Sequence, residues 1–314
     1  MRIDRIRELQ ADPQRAAVHA SDLSLLRAFL HERYDIRPGR NVDSELAELC
    51  DDPANAEVAL QLLDLQGDRT SPIAGVRDRA DQVFYDLISR EPLLGTIHSS
   101  KWTYIFDVAA YLQSLCQLLE VSGTVADLGC HVGYHPAWLA ERIDAAFVGV
   151  DRSSAAIDFA RRSSRLSPPR VGRLDFHAAS DHRYIAEGSV DLLISCDGSL
   201  DWTAKHLRAA KKLLTRDGLI VWFGDWPSRD GSIGAVAEAA GLHLLHADSV
   251  GGWTGDRFEA RIALIVGTRM IGEAITDPES VSARVWDDGF RDFCNSGRHP
   301  KDFQTLGYYR SLKR

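Results

Sequence analysis

Positive charge is in short supply: 37 lysines and arginines stand against 45 aspartates and glutamates, a net charge of −8 over 314 residues. A nucleic-acid surface needs clustered cations to displace counterions from phosphates, and no stretch concentrates them. Cysteine is scarce as well. The five copies, Cys50, Cys116, Cys130, Cys196 and Cys294, are odd in number and never in CxxC spacing. That argues against both a disulfide framework and structural zinc. No apolar run reaches the length of a membrane span. The opening MRIDRIRELQADPQR is charged throughout and lacks the apolar core of a secretory signal. These absences predict a soluble protein of the reducing cytoplasm, with neither a membrane nor a nucleic acid as partner.

What is present is 45% hydrophobic and 26% charged, the make-up of a globular protein. The length suits one large α/β domain and a smaller module. Residues 1–95 read as a helical N-terminal domain. In DPANAEVALQLLDLQG, Asp52 is a good N-cap, Pro53 fits the first helical position and Gly67 can close the helix. Val58, Leu62 and Leu65 form its stripe. In GVRDRADQVFYDLISREP the stripe is Val76, Ala80, Val83 and Leu87, ahead of Pro92, and GDRTSPIAG between the two is linker-like. Such helices ahead of a catalytic domain serve as a dimer interface, giving a homodimer, or as a substrate lid.

Residues 96–268 change style. A helix from about 104 carries Ile105, Val108, Leu112, Leu115 and Leu119 on one face and stops at Gly123. Short apolar runs then alternate with helices: TVADLG, AAFVGVD, RLDFHA, VDLLIS and GLIVWFG. Runs this continuous read as strands covered on both faces, hence parallel with crossover helices. LHLLHADSV and RFEARIALIVG are separated only by GGWTGD, too short for a parallel crossover, so they pair antiparallel. The fold class is α/β: a Rossmann-like doubly wound sheet of seven strands, the last antiparallel. Residues 269–314 form a polar tail with interspersed aromatics, expected to pack on the core.

VADLGCHVGY, residues 125–134, admits three readings: a cofactor turn, a reactive Cys-His pair or an ordinary strand end. A strand ending in Asp127-Leu128-Gly129 and turning through Gly133 into a helix suits a nucleotide-type ligand, with Pro136 in the helix's first turn. Asp151 follows Gly129 by twenty-two positions, at the end of the next strand, placed to accept from two ribose hydroxyls. A dinucleotide would set its pyrophosphate beside Asp127, and the spacing is DxGxxxG rather than GxGxxG. S-adenosylmethionine, with an ammonium and a sulfonium, suits the aspartate better. Cys130 and His131 are neighbours in sequence and are not expected to meet; Cys130 reads as a small residue accommodating the cofactor.

Here the chain resembles the class I S-adenosylmethionine-dependent methyltransferases, over roughly residues 96–268. The resemblance rests on VADLGCHVGY, FVGVD, FHAASDH, VDLLISCDG and LLTRDGLIVWFGDW in order. The bulky His131, the Gly133-Tyr134 pair, GTIHSSKW and Asp197-Gly198 are similar to the small-molecule O-methyltransferases of the caffeoyl-CoA and catechol type and to sugar and macrolide relatives. The resemblance implies that Asp127, Gly129, Cys130, Gly133 and Tyr134 shape the methionine and ribose end. Asp151, with Arg152 beside it, would hold the ribose, and Ser180 or Asp181 the adenine edge. It places Asp197, after the fourth strand, near the methyl group and the substrate.

Metal-dependent relatives add a carboxylate cluster. Asp197 and Asp225 match part of it, but Trp226 and Ser199-Leu200-Asp201 stand where further ligands belong. A divalent metal is therefore not favoured. Metal-free transfer needs in-line positioning and a nearby base; Asp197, Asp225 and His98 are the catalytic candidates, with His131 and His135 also considered. Trp202, Trp226 and Trp253 either line a flat substrate pocket or pack. The function expected is methyl transfer to an oxygen or nitrogen of a small molecule, plausibly a specialised metabolite. The alternative is an inactive protein of the same fold that serves as a binding subunit; an NAD-dependent reductase fits least.

Overall fold

The computed structural model describes residues 2–11, 20–38, 73–90, 93–99, 101–180, 182–196, 200–224, 233–254 and 257–269, with scattered positions between 40 and 68. Its helices are α1 (Ile6–Ala11), α2 (Ala20–Tyr34), α3 (Ala74–Ile88), α4 (Leu93–Ser99), α5 (Trp102–Leu118), α6 (Tyr134–Ala140), α7 (Ser154–Leu166), α8 (Ala204–Lys211) and α9 (Ile233–Ala239). Its strands are β1 (Thr124–Leu128), β2 (Ala146–Asp151), β3 (Arg173–Ala178), β4 (Val190–Cys196), β5 (Leu214–Gly224), β6 (His243–Thr254) and β7 (Arg257–Gly267). They form one sheet in the order β3-β2-β1-β4-β5-β7-β6. β1 to β5 run parallel, and β7 lies antiparallel to both β5 and β6. The short GGWTGD connection has the consequence expected of it.

The inner strands β5 and β7 carry unbroken apolar runs because each serves two cores. Leu219, Val221 and Phe223 of β5 and Ala263 and Ile265 of β7 join one cluster, with α1, α2, α5 and α6. Ile220 and Trp222, Leu264 and Val266 join the other, under α8 and α9. Successive side chains leave a strand on opposite faces, so continuous apolarity is what two covered faces require. The N-terminal residues Ile6, Leu26, Leu30 and Ile36 are wholly buried in the first cluster. A buried polar chain fastens α2 there: Trp138 Nε1 donates to Gln113 Oε1 at 2.9 Å and Gln113 Nε2 to Asp22 Oδ2 at 3.1 Å.

Three expectations need correction or limits. The stripe of α3 is rotated: Ala80, Leu87 and Ile88 are buried, whereas Val76 and Val83 are each 38% exposed. An aliphatic count overlooked Phe84, Tyr85 and Ile88, which face a cavity rather than the aliphatic core. α5 buries Ile105, Val108, Leu112, Leu115 and Leu119 as expected, but it ends at Leu118, with Glu120 rather than a glycine turning to φ +50°. The helix anticipated over 52–67 lies largely, and the tail from 270 entirely, outside the described residues.

Candidate active site

The strand order reverses between β1 and β4, and open α/β sheets place ligands at the carboxyl ends of strands at such a switch point. A cavity of about 950 Å³ lies there. One wall comes from the segments after β1, β2, β3 and β4: Gly129, Cys130, Asp151, Arg152, Ser180 and Leu200. The opposite wall comes from α3, α4 and the start of α5: Phe84, Tyr85, Ile88, His98 and Tyr104.

The glycine turn is drawn tight. Gly129 and Cys130 both donate to Val150 O, at 2.7 and 3.2 Å, which ties the β1 turn to the end of β2. Gly133 N donates to Cys130 O at 2.9 Å and closes the turn into α6. Gly129, His131 and Gly133 all have positive φ, at 75°, 50° and 76°. His131 thus fills a left-handed position that glycine occupies with less strain. A side chain at Gly133 would meet more than strain, because a Cβ there would lie 2.4 Å from two ring carbons of Phe176. Gly133→Ala is expected to cost about 2–4 kcal/mol of stability, measurable by urea unfolding, from the clash and the φ penalty together.

Asp151 is held from both sides: Oδ2 accepts from His131 N at 2.9 Å and Oδ1 from Ser153 N at 2.8 Å. Each oxygen keeps a further lone pair, so the carboxylate can still receive two ligand hydroxyls. Asp127 differs. It is 1% exposed, and neither carboxyl oxygen has a hydrogen-bond partner. Burial first, and the charge of Asp151 second, push it up to about 8. A buried, orphaned carboxyl next to a cavity is the observation that calls for a cationic ligand group. It does not itself form the cavity wall; Leu128 does. Gly133 likewise stands behind the wall, against Phe176.

Three histidines share this region, all buried and held neutral. Burial drives His98 well below its ordinary value, His131 to about 4 and His135 to about 3. The tautomer of His131 follows from its partners. Ser89 Oγ donates its single proton to Tyr85 O at 2.6 Å, so it must accept from His131 Nε2 at 2.9 Å. Cys130 turns elsewhere, packing with Ile157, Ala160 and Phe176 while its thiol is pushed up by burial. No Cys-His pair forms, though the reason is the left-handed turn rather than an extended backbone. Cys196 Sγ lies 3.9 Å from His135 Nδ1.

Of the residues expected from sequence, the cavity wall brings together His98, Gly129, Cys130, Tyr134, Asp151, Arg152 and Ser180. Asp181, Asp197, Asp225 and Trp226 lie outside the described residues, as does the side chain of Trp253. Trp202 is a packing residue: its ring lies 5.3 Å from that of Trp222 within the second core, and Nε1 donates to Ile233 O at 3.4 Å. Among the described residues no group of three or more His, Cys, Asp or Glu is arranged to hold a metal ion. Sequence reasoning missed the part played by α3. Three of its contacts reach the cofactor loops: Asp81 with Arg152 at 3.7 Å, Asp86 Oδ1 with Ser153 Oγ at 2.5 Å, and the adjoining Ser89 with His131. The signal available was the polar and aromatic character of one helix face, Asp78, Asp81, Phe84 and Tyr85, which an apolar-stripe search discards.

Residues 125–218 match the family model of a methyltransferase domain. These residues have the fold of a class I, S-adenosylmethionine-dependent methyltransferase domain. The orphaned Asp127 and the accepting Asp151 agree with that match, since they suit a ligand with cationic and ribose parts. No curated protein matches the chain. Among solved structures the domain is similar to a magnesium protoporphyrin IX methyltransferase of Synechocystis PCC 6803 with bound S-adenosylmethionine, at 17% identity and a TM-score of 0.41, covering 55% of this chain and 82% of that one. It is also similar to a methyltransferase from Aquifex aeolicus, at 12% identity and a TM-score of 0.37 over 47% of this chain and 83% of that one. A third likeness is to the [4+2]-cyclase SpnF, at 14% and 0.48 over 61% and 96%. At these identities and scores the likenesses say nothing of what this chain acts on.

Proposed function

We propose that the protein transfers the methyl group of S-adenosylmethionine to an oxygen or nitrogen of a small molecule, in the manner of the small-molecule O-methyltransferases, and that the product belongs to specialised metabolism. The observation that carries this reading is the cavity. Its volume of about 950 Å³ is at the upper end of small-ligand pockets and leaves room for an acceptor beside the cofactor. The acceptor-side wall is apolar and aromatic, from Phe84, Ile88, Ile97, Tyr104 and Ile105. The net charge of −8 speaks against a nucleic-acid acceptor.

In this reading Asp127 faces the cationic end of the cofactor, Asp151 its ribose, and Ser180 and Asp181 its adenine. The cofactor supplies an electrophilic methyl group; the chain's part is to exclude water, orient the acceptor and receive its proton. His98 is neutral and cavity-facing and so is assigned to orienting the acceptor by a hydrogen bond. Asp197 and Asp225 follow β4 and β5 in sequence and are assigned to the acceptor side. The helices before residue 96 act as a lid over the acceptor and as the surface of a homodimer. A cytoplasmic location, with no metal in the reaction, completes the proposal.

Asp151→Ala tests the cofactor assignment. Loss of two charge-assisted hydrogen bonds should weaken S-adenosylmethionine and its demethylated product alike by about 30-fold or more in titration calorimetry. Unchanged affinity for both would rule the ribose assignment out. For the acceptor, a panel of phenols, sugars, carboxylic acids and amines incubated with labelled cofactor should yield a methylated product from at least one class.

A further inference from the structure

The wall built from α3, α4 and α5 holds one cation with no ion-pair partner among the described residues. Lys101 lines the cavity and makes no ion pair among the described residues. Its acidic neighbours on that wall are otherwise placed. Asp81 faces Arg152 at 3.7 Å, and Asp78 sits on an exposed turn of α3. Lys101 also stands at the N-cap of α5, whose first turn has neither a side-chain cap nor an acidic residue. The backbone N–H groups that open this 17-residue helix therefore add to the same positive field.

His98 provides an independent observation. It is 6% exposed, it lines the same cavity, and its Nδ1 has no partner. Its backbone carbonyl accepts from Lys101 N at 3.0 Å, which fixes the two residues together. Both neighbours that act on its charge, His131 and Lys101, disfavour a cation there. A cavity wall with an unpaired lysine, an uncapped helix start and an unpartnered neutral ring beside them is suited to an anion.

We propose that Lys101, the start of α5 and His98 form a subsite for an anionic oxygen group, a carboxylate or phenolate, carried on an apolar or aromatic body. Phe84, Tyr104 and Ile105 flank it and supply the apolar contact. The lysine holds the charge; the neutral histidine hydrogen-bonds the same group without competing for a proton. The inference rests on the methyltransferase reading only for the identity of the group's owner. That owner is either the acceptor, which would narrow the chemistry from oxygen or nitrogen to an anionic oxygen, or the carboxylate of the cofactor's own amino-acid end.

The test uses the full-length protein without cofactor and probes on one ring: benzoate and p-nitrophenolate against benzyl alcohol, by titration calorimetry. The anions should bind about tenfold or more tighter than the alcohol. Lys101→Met should abolish the anion preference and leave benzyl alcohol unaffected. His98→Gln, which keeps a neutral donor, should retain it. Equal affinity for all three probes, or an anion preference surviving in Lys101→Met, would overturn the proposal. Repeating the benzoate titration with the demethylated cofactor at saturation identifies the source. Persistent binding assigns the subsite to the acceptor, and competitive loss assigns it to the cofactor's carboxylate. Failure of the cofactor itself to bind would remove the methyltransferase reading while leaving the anion result standing.

Discussion

Asp127→Asn should make the ligand-free protein more stable at pH 8 and bind S-adenosylmethionine about 100-fold more weakly. The two effects have one origin. Asp127 is buried without a partner, and burial together with the charge of Asp151 raises it from 3.8 to about 8. An acid raised on folding binds more protons folded than unfolded between those two values. Its contribution is therefore most favourable below pH 4, declines as the pH rises, and levels off above about 8. The full span corresponds to about 6 kcal/mol by the usual conversion of roughly 1.4 kcal/mol per pH unit. Asparagine matches the neutral acid in shape and never ionises, so the variant's stability should lack this decline. Urea unfolding of both proteins from pH 5 to 9 would show the curves diverging toward the alkaline end. Parallel curves would mean that Asp127 has an ordinary acidity. The affinity loss follows because a cationic ligand group gains its charge-assisted partner only from the carboxylate, a contribution of about 1.5–3 kcal/mol.

Acid should act on the same protein from the other side. His98, His131 and His135 are buried and neutral, displaced downward by burial, the last two to about 4 and about 3. The unfolded chain takes up protons near pH 6.5, whereas the folded protein resists. Stability from these groups is complete above pH 6.5 and is lost as the pH falls toward 4 and 3. By pH 5 His131 and His135 should each cost about 2 kcal/mol, and His98 acts in the same direction. Asp127 opposes this loss in the same window, because its protonation favours the fold. The Asp127→Asn background therefore exposes the histidines' share: its midpoint should fall more steeply below pH 6.5 than that of the wild type. His135→Phe in that background should restore part of the loss at pH 5. A flat acid limb in Asp127→Asn would show that the three rings reach solvent.

Much of the domain was legible in the sequence because its forces are local or periodic. Two covered faces force unbroken apolar strands, and six residues between β6 and β7 segments force an antiparallel pair. The turn from Asp127 to Gly133 could be read because its backbone needs positive φ and close approach, which the glycines advertise. Asp151 could be read because strand length fixes its distance from the turn. The face of α3 could not be read that way. Its buried side is set by a cavity, and a helix that borders a cavity puts aspartates and aromatics where a core-facing helix puts aliphatics. Lys101 was illegible for a related reason: a lysine at a helix start looks like a solvated surface residue until Tyr104, Ile105 and His98 are seen around the same space. The tautomer of His131 depends on Ser89, 42 residues away in the chain, and no local pattern carries that pairing.

Titration calorimetry of the purified protein with S-adenosylmethionine, run at pH 7 in two buffers of different ionisation heat, asks whether this cavity holds the cofactor through Asp127 and Asp151. One site of micromolar to sub-millimolar affinity is expected, with a buffer-dependent heat that reports release of a proton as the ligand's positive charge drives Asp127 to ionise. Absence of binding up to millimolar cofactor would refute that assignment. So would binding that Asp127→Asn and Asp151→Ala both leave unchanged.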